Sequence, residues 1–146
     1  MLPVFYHDRL APGVGGVEHV VMVPLAESLA RGADLFNRGL FWEAHEAWEE
    51  AWLELEDEPK LFVQGLIQVA AGYHKATVQN QPRGCVKLLT TALEKLEPRP
   101  PDFLGVETRR FLPAVRRTLT EARRWLSGEL PSLDRSLIPR LELLGR

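Results

Sequence analysis

The sequence predicts an all-α domain, five or six helices in a compact orthogonal or bundle-like arrangement around a central antiparallel pair. Three observations carry this. Apolar residues recur at three- to four-residue spacing from Leu25 to Leu126. Proline- and glycine-containing breaks divide that pattern into helix-length pieces. Finally, 146 residues with 45% apolar content and four tryptophans suffice for one core, so residues 1–146 are read as a single domain.

The elements follow in order. Residues 1–24 hold three prolines and three glycines without a helical period, and are read as an irregular wrapping segment with a short strand at His19–Val23. Gly13, Gly15 and Gly16 lack the Lys-Ser/Thr of a phosphate loop, so an irregular turn is the plainer reading. Leu25, Leu29, Ala33 and Phe36 mark a first helix that Asn37 to Gly39 ends. Phe41, Ala44, Trp48, Ala51 and Leu55 form the stripe of a second helix, with Glu43, Glu50 and Glu54 outward. Pro59 suits the first turn of a third helix reaching about Gln79. This third helix is the least polar stretch and the natural centre of the fold. Gly65, Val69, Gly72 and Ala76 line it as a small-residue strip. Each glycine costs about 1 kcal/mol of helix propensity relative to alanine, which close helix contact would offset, within the chain or between copies. A turn at 80–84 leads to a fourth helix through Val86, Leu89, Leu93 and Leu96, with Cys85 a small core thiol at its start. Prolines 98, 100 and 101 make a rigid connection to a fifth helix, about Val106 to Leu126, which Pro113 is placed to kink or divide. Residues 128–146 return to the core through Leu130, Leu133, Leu137, Ile138 and the Leu141–Leu144 group.

Composition excludes several classes of function. No apolar run is long enough for a membrane span, and the N-terminus does not read as a signal peptide. A lone cysteine forms no internal disulfide and no paired-cysteine zinc site, which points to a reducing cytoplasm. A net charge of −2 speaks against generic nucleic-acid binding. Charge is nevertheless segregated: eight acidic residues and no Lys or Arg lie between Phe41 and Glu58, and six arginines face two glutamates between Gly105 and Leu126. Arg109-Arg110, Arg116-Arg117 and Arg123-Arg124 repeat every seven residues and stack into a band drifting about 20° per step. The plain reading is a solvated face, or one paired with the acidic second helix; a dimer or protein-partner surface comes next, and contact with phosphates last.

The chemically suggestive segment is WEAHEAWEEAW, residues 42–52. His45 and Glu49 share a helix face at four-residue spacing, among Phe41, Trp48 and Trp52. The short connection makes the second and third helices antiparallel, which brings Gln68, Tyr73 and His74 toward His45. Three readings compete. One is a buried hydrogen-bond network. Another is a small-molecule or hydrolytic site, with His45, Glu49 and Glu46 as acid–base residues and Trp42, Trp52, Gln68, Tyr73 and His74 contacting the ligand. In the last, His45, Glu49 and His74 hold a divalent metal such as Zn, Mn or Fe, with Glu46 a further donor. A metalloprotease helix is excluded, because HEAWE lacks the second imidazole of His-Glu-x-x-His. A non-enzymatic scaffold acting through its acidic and basic helix faces is the alternative of a different class.

The strings FNRGLFWEAHEAWEEAW and FVQGLIQVAAGYHKATVQNQPRG resemble the prokaryotic family catalogued as domain of unknown function 309, over about Leu35 to Leu96. The matching positions are His45, Glu46, Glu49, Glu50 and Trp52 in the first string. In the second they are Gly65, Gln68, Tyr73, His74, Asn80 and Gly84. The resemblance implies a compact all-helical fold and brings no activity, substrate or cofactor with it.

Overall fold

A computed structural model describes residues 24–145. The wrapping segment, its His19–Val23 strand, His7, His19 and the glycines at 13, 15 and 16 lie outside these residues. The described chain is all-α: α1 (Leu25–Asn37), α2 (Phe41–Trp52), α3 (Asp57–Thr77), α4 (Pro82–Leu96) and α5 (Thr108–Leu126), with 3-10 turns at Phe103–Gly105 and Arg135–Leu137. Boundaries differ from the sequence reading by a few residues. The third helix starts two residues before Pro59 and stops at Thr77, and the fourth begins at Pro82, where the missing N–H of proline leaves no helix bond unmade.

The helices pack in succession, α1 on α2, α2 on α3, α3 on α4 and α4 on α5. α3 is therefore the central rod, flanked by α2 and α4. Its apolar residues Phe62, Val63, Leu66, Ile67, Val69, Ala70 and Tyr73 are fully buried. The small-residue strip faces α4. A Cβ on Gly65 would stand 2.7 Å from Leu96 Cγ, and one on Gly72 would stand 3.0 Å from Leu89 Cδ2. The close contact that the two glycines permit is thus internal. A comparable approach joins α1 to α2: Trp48 lies across Gly32, where a Cβ would come within 2.0 Å of Nε1, and its indole N–H reaches the Leu29 carbonyl at 3.4 Å.

α5 runs unbroken through Pro113, which sits on the exposed side and neither divides nor ends the helix. Phe111, Val115, Leu119 and Ala122 point into the core as the period requires, whereas Leu126 is exposed. The segment after Gly128 packs back through the buried Leu133 and Leu141. Two devices fix it. Asn37, at the end of α1, donates from Nδ2 to the Leu141 carbonyl at 3.0 Å and accepts from the Leu141 N–H at 2.7 Å, imitating a pair of strands with one side chain. Nearby, Val106 and Leu143 form an isolated antiparallel bridge, with Glu107 N–H donating to Glu142 O and Leu144 N–H to Gly105 O. No helix among the described residues is long and apolar enough to cross a membrane.

Candidate functional site

The second helix places Trp42, His45 and Glu49 on one side at three- and four-residue steps. His45 Nε2 lies 3.2 Å from Glu49 Oε2, and the two side chains are 6% and 0% exposed. Burial decides their ionisation. It pushes the Glu49 carboxyl up to about 7 and, helped by the nearby His74 imidazole, pushes His45 down to about 4. Near neutral pH the pair is thus a neutral imidazole beside a carboxyl close to its own midpoint. His45 Nδ1 has no hydrogen-bond partner among the described residues.

Trp42 covers this pair from outside. Its ring stacks on His45, with centroids 4.4 Å apart and planes 14° apart, and also touches His74 at 5.2 Å. The indole is 44% exposed although it lies against a buried pair. Contacts of Trp42 with His74 and of Phe41 with Tyr73 bring the start of α2 against the end of α3, the antiparallel register that the short connection predicts.

A groove of about 460 Å³ opens between α2, α3 and α4. Trp42 and His45 form one wall, and Ile67, Gln68 and Ala71 of α3 contribute with them. Gly84, Lys87 and Leu88 of α4 stand opposite, with Lys75 from the end of α3. Gln68 is almost fully buried, and its side-chain carbonyl has no hydrogen-bond partner among the described residues. Both lysines are free of ion pairs among the described residues, and no carboxylate lines the groove. A second, shallower cavity lies on the other side of Trp42, lined by Gly39 to Glu43, His74, Val78 and Gln79. Its walls are mostly the ends of α2 and α3.

The sequence-predicted residues divide accordingly. His45, Glu49, Trp42 and Gln68 come together, and His74 joins them through Trp42. Tyr73 does not: it turns into the core, its hydroxyl 2.7 Å from that of Thr118 on α5 and its ring against Phe36 and Phe41. Trp52 is also elsewhere, with Lys60 Nζ 4.2 Å above its ring. Glu46 is exposed on α2, one residue round the helix from His45. No three His, Cys, Asp or Glu side chains among the described residues are grouped so as to hold a metal ion. The intended ligands His45 and Glu49 engage one another, while His74 packs on the indole. Cys85 is a buried core thiol, pushed up to about 12 by burial.

Lys75, Gly84 and Lys87 had been passed over as site residues. The same hairpin logic that pairs α2 with α3 would have found them, because Lys75 and Lys87 lie equally far from the Gln81 turn on antiparallel helices. Gly84 permits their side of the groove to close: a Cβ there would meet Lys75 Cδ at 3.0 Å.

The arginine ladder is exposed along α5. Its ion pairs go to Asp102, Glu107, Glu97, Glu121 and Glu129, and none among the described residues reaches α2. The pairing with the acidic second helix does not form among the described residues: α2 packs on α1 and α3, and α5 on α4. Arg31 of α1 serves Glu50 instead, at 2.7 Å.

No curated protein matches the chain. Residues 29–88, from α1 into the start of α4, match the family model described as "Domain of unknown function (DUF309)". That stretch supplies Trp42, His45, Glu49, Gln68, Lys75, Gly84 and Lys87, and over it the chain is similar to this family.

Proposed function

We propose that the groove between α2, α3 and α4 is a small-molecule site in which His45, oriented by Glu49, exchanges a proton with the ligand. One observation carries this reading: a buried carboxyl–imidazole pair stands directly behind a half-exposed tryptophan at the wall of a groove.

The chemistry follows from the pair. With Glu49 protonated, its O–H donates to Nε2, and His45 carries its own proton on Nδ1 as a donor. With Glu49 ionised, Nε2–H donates to the carboxylate, and Nδ1 becomes an acceptor. A carboxyl with its midpoint near 7 supplies both states around neutral pH. Hydrolysis is the least demanding reaction for such a pair. Nδ1 takes a proton from water as the water oxygen bonds to an electrophilic carbon, and that proton passes to the leaving group. The residues that assemble here support acid–base chemistry without a bound metal.

The test is a thermal-shift screen of small metabolites against the wild type and Trp42→Ala. Compounds that raise the midpoint of the wild type alone are groove ligands, and their turnover is followed by NMR. His45→Gln should keep binding and lose turnover. A library in which no compound separates the wild type from Trp42→Ala overturns the reading.

A second reading has its own observation, the exposed basic face of α5 and the exposed Glu43 and Glu46 of α2 with Glu54 just beyond it, which do not meet among the described residues. In this reading two copies associate, α5 of one against α2 of the other, in the cytoplasm. Light scattering after gel filtration would show a dimer at low salt that dissociates at high salt, and that neutralising Arg116, Arg117, Arg123 and Arg124 abolishes. A monomer under both conditions sinks it.

A further inference from the structure

The groove's own lining says what kind of molecule it takes, an inference that rests on its being a ligand site. Its two ends, taken across the groove from α2 to α4, differ. At the inner end are Trp42 and His45 of α2, with the buried Gln68 and its unpartnered carbonyl oxygen beside them. At the outer end are Lys87 and Gly84 of α4 with Lys75 of α3, and among the described residues no acidic side chain lines the groove.

Each end has a chemical preference. An indole that is 44% exposed offers one flat apolar face to a planar ring, while its other contacts are the two imidazoles. The Gln68 oxygen is almost fully desolvated and accepts only from a donor, such as a ring N–H or an amino group. Leaving that oxygen without a partner is costly in the empty protein, and a ligand donor removes the cost. The outer end is cationic twice over. Two ammonium groups stand on facing helices with no counter-charge among the described residues, and beside them lies the first turn of α4, a 15-residue helix. Pro82 opens that helix, and the next N–H groups, of Arg83 and Gly84, have no carbonyl a turn earlier in the helix to bind. Such a turn favours an anion, and Gly84, having no side chain, lets the Lys75 stem lie against that turn.

We propose that the ligand is a planar nitrogen heterocycle bearing an anionic group, phosphate or carboxylate. Its ring lies on Trp42 and donates to Gln68, and its anion sits between Lys75, Lys87 and the α4 N-terminus. A groove of about 460 Å³ is in the range of small-ligand sites and has length for both parts. His45 lines the groove beside Trp42, so proton exchange would take place at the heterocycle or its first substituent rather than at the anion.

The experiment uses matched pairs that differ in the charged group: adenosine 5′-monophosphate with adenosine, nicotinate with nicotinamide, and indole-3-acetate with indole-3-acetamide. Each is titrated into isotope-labelled full chain, and affinities come from the shifts of the Trp42 indole, Gln68 amide and Gly84 backbone resonances. The anionic member of at least the best-binding pair should bind about tenfold more tightly, with Gly84 shifting only for the anion. Lys75→Gln/Lys87→Gln should erase that preference and leave the neutral member's affinity unchanged, whereas Trp42→Ala should weaken both members. Equal affinity within every pair, or a preference surviving the lysine substitutions, overturns the anion assignment and leaves the groove a ligand site. If no member moves the groove resonances, the heterocyclic-anion assignment falls, while the broader metabolite screen still decides whether the groove binds anything. Phosphate or carboxylate is then resolved by which anionic members bind.

Discussion

Glu49 and His45 are displaced in opposite senses by the same burial, and this has a consequence for stability that each would hide alone. The folded chain keeps the Glu49 proton up to about pH 7, whereas a free glutamate loses it near 4.5. The native state therefore holds more protons in that window, and this carboxyl's contribution to stability falls as pH rises through it. His45 behaves in reverse. Its free imidazole is protonated below 6.5, but in the fold only below about 4, so its contribution falls as pH drops from 6.5 to 4. Between 4.5 and 6.5 the two slopes oppose, and the pair should leave the wild type nearly level. Glu49→Gln keeps a hydrogen bond to Nε2 and removes one of the two titrations. Its unfolding free energy in urea should climb with pH from 4 to 6.5, while the wild type stays flat. Parallel curves for the two proteins would show that the carboxyl is ionised well below neutrality. At this scale the sequence was legible where spacing alone decides geometry: the four-residue step made His45 and Glu49 neighbours. It was silent where rotamers decide, as with Tyr73, whose hydroxyl was free to seek His45 and found Thr118 instead.

Helices were easier to read than their partners. The period of α3 marked it as the central rod, and its glycine strip announced a close approach, yet nothing in the strip says whether α2, α4 or another copy fills it. Leu96 and Leu89 answer that only in three dimensions. Pro113 shows the converse. A proline within a helical period normally lacks one hydrogen bond and crowds the carbonyl four residues back, here that of Arg109. α5 tolerates it because the ring faces solvent and the buried side is intact on both sides of it. Residual cost should remain in the folded state. Pro113→Ala is expected to stabilise the protein by about 1 to 3 kcal/mol, read as a higher urea midpoint at constant slope. An unchanged or lower midpoint would mean that the proline's restriction of the unfolded chain outweighs the missing bond.

For the molecule as a whole, the order of helix packing settled what charge patterning could not. Acidic α2 and basic α5 attract on paper, but α2 packs on α1 and α3 while α5 packs on α4, and no ion pair joins their charged faces among the described residues. Connectivity read from a sequence gives neighbours along the chain far more readily than it gives which outer surfaces end up remote. The same holds for the closing segment, whose leucines predicted a return to the core but whose anchor, Asn37, carried no apolar signal at all. That anchor makes the last stretch of the chain behave as a latch on the first described helix, spanning 104 residues with two hydrogen bonds on one amide. Trypsin has sites at Arg135 and Arg140, exposed side chains in the segment that the latch ties down, and cleavage there should be slow while the latch is made. Asn37→Ala should free it, at a cost of about 1 to 3 kcal/mol, so that nicking at Arg140 precedes any cut within the helices. A digestion pattern the same as that of the wild type would assign the fastening to the Val106–Leu143 bridge. Where the Asn37 clasp dominates, the closing segment is tied to the turn that leads into Trp42, so a pull on it would be felt at the wall of the groove.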